Sequence, residues 1–344
     1  MSEGVATKPR PRGMVSLWRV ISLLLLVAVF YYVGRQIGRD FRELKAQQIH
    51  VEVNWFYVGA GLVCLMGARL ANAVNTWLLL RAMGVNLPMW RVVAVIWVSS
   101  LGRYMPGKVA VVAGSMAMLM RMGARFSVAG AALVLSTGIM ILIGMVGSIP
   151  VFFSPAMRER LPSAGIFGVM VAGMAVVCLY PPIFLAICNV GLRILKREEI
   201  PSGVRQGPFW GAVGVGVIRI GFVTMALWLA ARSIALIGTN TIPQTLGAAS
   251  LASVLGFVAI FAPAGLGVHE AVYLVALKPM MGAAVAVLAI LFRGMQILLD
   301  LVVAGIGAGI MKREFRTQNS ELRIGPSPRP SPGVPGEGRS CGRA

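Results

Sequence analysis

The stretch Ser99–Ser115, "SSLGRYMPGKVAVVAGS", sets a Pro-Gly pair and two cations, Arg103 and Lys108, into sequence that is otherwise lipid-like. The apolar pieces on either side, Val92 to Leu101 and Val109 to Met120, are each too short to cross a hydrocarbon core, which takes roughly 20 helical residues. They read as two half-helices of a re-entrant hairpin, with Gly102, Pro106 and Gly107 at the break. Irregular backbone at membrane depth strands amide and carbonyl groups, and this is tolerated only where protein or water meets them. The break therefore predicts a polar cavity.

The rest of the chain supplies the membrane. Apolar residues make up 57% of the 344 and charged ones 13%, and the apolar residues come in span-length runs, so the fold class is all-α, a polytopic transmembrane bundle. Full spans are expected at about Val15 to Val33, Trp55 to Leu80, Ser127 to Phe153, Gly165 to Ile187, Phe209 to Ala231 and Gly282 to Met311. The first follows Lys8, Arg10, Arg12 and Arg19 but lacks a small-x-small cleavage site, which marks an uncleaved span. "GRQIGRDFRELKAQQIH", Gly34 to His50, carries Ile37, Phe41 and Leu44 at helical spacing and reads as an amphipathic surface helix. Three regions follow: a basic amino terminus (1–14), one membrane domain (15–311), and a basic Pro/Gly/Ser-rich tail (312–344) expected to be disordered.

A second interruption answers the first. Leu246 to Phe261 is apolar, "APAGLGVHE" (Ala262 to Glu270) breaks it, and Ala271 to Leu277 resumes before Lys278 and Pro279. Each break lies about fifty residues into a unit of span, broken hairpin and span, Trp55 to Phe153 and Phe209 to Met311. A matched pair of Gly/Pro-interrupted segments is the sequence pointer to a transport site in an inverted repeat. Basic loops place both termini in the cytoplasm, with the loops around Arg81 and Arg91, Arg121 and Arg125, and Arg193 to Arg205 inside.

The net charge of +20 sits in short segments beside apolar runs, which points to membrane-surface electrostatics and away from nucleic acid. Cys64, Cys178, Cys188 and Cys341 are too scattered for a disulfide framework or a metal pair, and no cofactor is expected. Ionisable residues inside spans are costly enough to mark function. Arg69, Asn72 and Thr76 share one face of the second span, and Arg293, Gln296 and Asp300 repeat that spacing in the last. Arg219 lies mid-span. Pairing of Arg293 or Arg219 with Asp300 or Glu270 is the structural alternative, yet the cations still outnumber the acids, and an anionic headgroup would balance them. Pro263, Gly265 and Gly267 shape the second break, where His269 beside Glu270 is either a helix cap or a proton carrier. Half-helices starting after each break aim amide groups at a phosphate.

"YMPGKVAVVAG" followed by "RMGARFS", and "APAGLGVHEA" followed by the Arg293-bearing span, resemble the membrane region of lysylphosphatidylglycerol synthases, the flippase-like domain family. The resemblance spans about residues 15 to 311. It implies a membrane part that moves an anionic or aminoacylated phospholipid between leaflets, with a separate soluble domain for synthesis when present. Two departures stand out: Ser115 follows Gly114 where the family commonly has a basic residue, and "LVLSTGIM" stands where an acidic-basic pair is frequent. With no synthetase-like segment, an enzyme is not expected. The function so read is translocation of an anionic phospholipid or polyprenyl-linked lipid in the inner membrane. Its rivals are a small-anion transporter and a scaffold for a lipid-modifying or glycosyltransferase partner enzyme.

Overall fold

The computed structural model describes residues 52–104, 109–160, 162–194, 203–259 and 262–323, with Tyr31, Arg35, Gly38, Arg39 and Arg42 besides. The expected first span, the tip Pro106, Gly107 and Lys108, and nearly all of the amphipathic stretch fall outside these residues.

Helix is the one regular secondary structure among the described residues. Helix α1 (Trp55–Ala82) and helix α7 (Gln206–Arg232) pack antiparallel along their whole lengths at the centre. Asn54 N–H donates to Ser233 O (2.8 Å) at one end, and Arg205 N–H to Ala82 O (2.9 Å) at the other. In lipid the hydrophobic effect does not draw helices together, so close approach by small residues does much of the work. Gly61 meets Ala226 and Met295, and Ala73, Ala212, Ala226, Ala230 and Ala231 are fully or almost fully buried.

Helices α2 (Met89–Ser99) and α3 (Val109–Arg121) form the first hairpin, with a 3-10 turn at Ser100–Tyr104 in its described tip. Helix α4 (Phe126–Gly147) continues after a turn at Ser148 into a short helix, Ile149–Phe152. Helices α8 (Ile242–Val258) and α9 (Val268–Met281) form the second hairpin around a 3-10 turn at Pro263–Gly265, and helix α10 (Val285–Arg323) closes the chain. Helix α10 packs on α2 of the first hairpin, and α4 packs on α8 of the second. The hairpins enter from opposite ends. Val85, Leu87, Met122 and Val204 gather in one apolar cluster, whereas Val53, Met157, Ile234 and Met280 gather in the other. The two 3-10 turns touch.

Three expectations need correction. The expected span Gly165 to Ile187 is two helices, α5 (Ala164–Cys178) and α6 (Pro181–Ile194), bent by 93°. Pro181 lacks the amide proton that would bond Val177 O, and its ring crowds that carbonyl, so the helix breaks at the Pro181–Pro182 pair. The second arm of the second hairpin continues to Met281, with Pro279 tolerated in the last turn, before Gly282 (φ 57°) ends it. The last helix does not stop at Met311: Lys312–Arg323 remain helical, and these residues are mostly good helix formers lying ahead of Gly325 and Pro326. Five described helical segments are long and apolar enough to cross a membrane, and the bent pair counts as a sixth if it is one span.

Candidate functional site

A cavity of about 290 Å³ opens where the two hairpin tips meet the central spans. Asn72 and Thr76 reach it from α1, Ser100 and Arg103 from the first break, Arg219 from α7, and Ala264 and His269 from the second break. Of the two faces expected from spacing, Asn72 and Thr76 line the cavity while Arg69, Arg293, Gln296 and Asp300 do not, and neutral hydroxyls (Ser115, Ser136, Thr137, Ser253) complete the wall.

The charges divide into two engaged clusters and one arginine apart. Asp300 is 1% exposed and gathers three partners. Tyr104 Oη donates to its Oδ2 (2.9 Å), Arg103 Nη1 lies 3.3 Å from Oδ2, and Arg69 Nε lies 2.8 Å from Oδ1. The Arg69 contact is short but off the hydrogen-bond angle, so it is an ion contact rather than an aligned bond. Arg103 Nε also donates to Ser100 O (3.1 Å). In the second cluster, Arg293 Nε lies 3.5 Å from Glu270 Oε1, Nη1 donates to Gln296 Oε1 (3.3 Å), and Nη2 donates to Ala264 O (3.2 Å). Asp300 and Arg293 of one helix therefore hold both breaks. Arg293 is engaged in this way and does not line the cavity. Among the described residues no ion pair or hydrogen bond joins Arg219 to an acid or carbonyl, and the charges felt there include those of Arg103 and Arg69. Four interior arginines thus face two carboxylates.

The second break is built from unusual backbone. Gly265 (φ 69°) and Gly267 (φ 83°) are left-handed, and Ala264 (φ 51°) joins them at a cost of about 1–2 kcal/mol, held by the Arg293 bond to its carbonyl. Glu270 Oε2 accepts from Gly267 N–H (2.7 Å), the carboxylate half of a capping box that starts α9; Gly267 has no side chain to return a bond. The His269 ring lies against Gly256 and Gly265, where no β-carbon would fit, and edge-on to Tyr273.

Sequence reasoning missed Asn75, which is fully buried. Its Nδ2 donates to Ala212 O (2.7 Å) and its Oδ1 accepts from Ser136 Oγ (2.7 Å), which shares a hydrogen bond with Thr76 Oγ1 (3.3 Å). This network ties α1, α4 and α7 together behind the cavity wall. The signal was present in a second amide, three residues after Asn72 and aimed between helices. Tyr104 was equally legible as the polar group beside Arg103. No group of three metal-ligating side chains occurs among the described residues.

Two broken hairpins meeting at a cation-rich cavity inside an apolar helix bundle define a multi-pass membrane protein built around a polar interior site. The chain belongs to the family of the lysylphosphatidylglycerol synthase TM region, whose sequence pattern matches residues 19–305. No curated protein matches it.

Proposed function

We propose that this protein translocates a lipid with an anionic headgroup, a phospholipid or a polyprenyl-linked phosphate, between the leaflets of the inner membrane. The two units, Trp55 to Phe153 and Phe209 to Met311, act as an inverted repeat. Their re-entrant hairpins take turns exposing the central cavity to one side. The observation that carries the reading is Arg219, a guanidinium facing the cavity with no carboxylate among the described residues to balance it, opposite an Arg103 already paired with Asp300. A mid-span cation of this kind is costly without an anion, and a phosphate supplies one. The reciprocal packing, α10 on the first hairpin and α4 on the second, supports two states in which the hairpins exchange roles.

Neutralising Arg219 tests the reading. A charge-assisted hydrogen bond contributes about 1.5–3 kcal/mol, so Arg219→Gln should slow headgroup passage in proteoliposomes roughly tenfold or more. Yield and thermal stability should hold, since Arg219 has no ion-pair or hydrogen-bond partner to lose among the described residues. A loss of stability in step with activity would make the residue structural. Orientation is checked by one-sided thiol labelling after the native cysteines are replaced. With both termini cytoplasmic, Leu236→Cys labels from outside and Met89→Cys from inside, and the reverse pattern would turn the bundle over.

A further inference from the structure

We infer that the cavity selects by the absence of a cationic end: it accepts a net-anionic phosphate headgroup such as phosphatidylglycerol and excludes zwitterionic and aminoacylated ones. The inference rests on the reading that the cavity holds a lipid headgroup, and it names which headgroup. Among the described residues whose side chains are placed, the carboxylates are Glu52, Glu159, Glu270 and Asp300, and the first two are exposed at the ends of the bundle's helices. The remaining two are committed: Asp300 to Arg69, Arg103 and Tyr104, and Glu270 to Arg293 and the Gly267 amide. Neither lines the cavity.

An ammonium brought in beside a phosphate would meet Arg219 and an Arg103 whose carboxylate, Asp300, is already shared with Arg69, and no described carboxylate lines the wall to receive it. An aromatic cage is the other way to hold such a group, and among the described residues the wall offers only two rings, Phe257 and the His269 imidazole, the latter packed against Gly256 and Gly265. The hydroxyls suit a different group. Ser100, Thr137 and Ser253 already donate their protons to Trp97 O, Leu133 O and Ala249 O. Their oxygens therefore present lone pairs to the cavity, which match the hydroxyl donors of a glycerol headgroup. Its described residues offer guanidinium for phosphate and acceptors for hydroxyls, and no countercharge for an amine.

The test is native mass spectrometry of the purified full chain in a neutral maltoside detergent, titrated with phosphatidylglycerol, phosphatidylethanolamine and lysylphosphatidylglycerol of one acyl length. Phosphatidylglycerol should be retained at least tenfold more tightly than the other two. Arg219→Gln should weaken phosphatidylglycerol alone, and Thr137→Glu, which sets a carboxylate on the wall, should bring the three within about threefold. Should Thr137→Glu fail to insert, the Arg219→Gln series decides by itself. Equal or tighter retention of either amine-bearing lipid by the unmodified chain overturns the inference. Retention of none of the three overturns both it and the reading beneath it. Translocation without headgroup preference overturns the selectivity alone, and selective retention without translocation overturns the transport alone.

Discussion

Gly265→Val should reduce lipid translocation to background while the protein inserts and accumulates normally. Gly265 sits at φ 69°, a conformation that a β-branched residue resists by about 1–2 kcal/mol. A β-carbon there would also lie 2.9 Å from Cδ2 and Nε2 of His269 and 3.2 Å from the Gly256 Cα, so the ring is forced out of its slot. That slot faces the cavity, and the neighbouring Ala264 carbonyl is the anchor for Arg293. The strain is small beside the packing of α7 on α1 and α8, so the bundle survives while the second break is remodelled. Unaltered translocation with normal abundance would remove the second hairpin from the pathway.

Asp300→Ala should lower stability more than any other single change within the site. Asp300 is buried, and its removal leaves Arg69 and Arg103 without their carboxylate and Tyr104 without its acceptor. Breaking a buried ion pair from one side costs about 3–5 kcal/mol, because the partner charge remains desolvated. Asp300→Asn keeps the shape and an acceptor for Tyr104 and should fall between the two. Thermal unfolding of the three proteins in one detergent reads the order. Equal stability of Asp300→Ala and the unmodified chain would mean that water already solvates the two arginines.

The spans and breaks were legible because lipid demands long apolar runs, and anything that interrupts them is conspicuous. Trp55–Ala82 and Gln206–Arg232 follow directly from that, as does the break at Pro263–Gly265. The bend at Pro181 was harder to place, since a proline pair is tolerated at the first turn of a helix and disruptive within one. Nothing local says which applies until the helix start is known. Pairings were the least legible. Arg69, Arg293 and Asp300 announced themselves as intramembrane charges, but their partners lie 231, 23 and 231 residues away along the chain, as the numbers Arg69–Asp300 and Glu270–Arg293 require. One-dimensional spacing gives a face and not a neighbour. Asn75 was overlooked for a related reason: a buried amide satisfied by a backbone carbonyl on another helix leaves no charge imbalance to notice.

The central claim is that the cavity between the two breaks carries an anionic lipid across the membrane. The most direct measurement reconstitutes the purified chain into vesicles containing a trace of phosphatidylglycerol labelled with a dithionite-sensitive fluorophore, and bleaches from outside. The account predicts that bleaching proceeds past the outer-leaflet half toward completion, faster than in protein-free vesicles and slower with Arg219→Gln. Bleaching that stops at half in intact vesicles, with the protein folded and inserted, would contradict it.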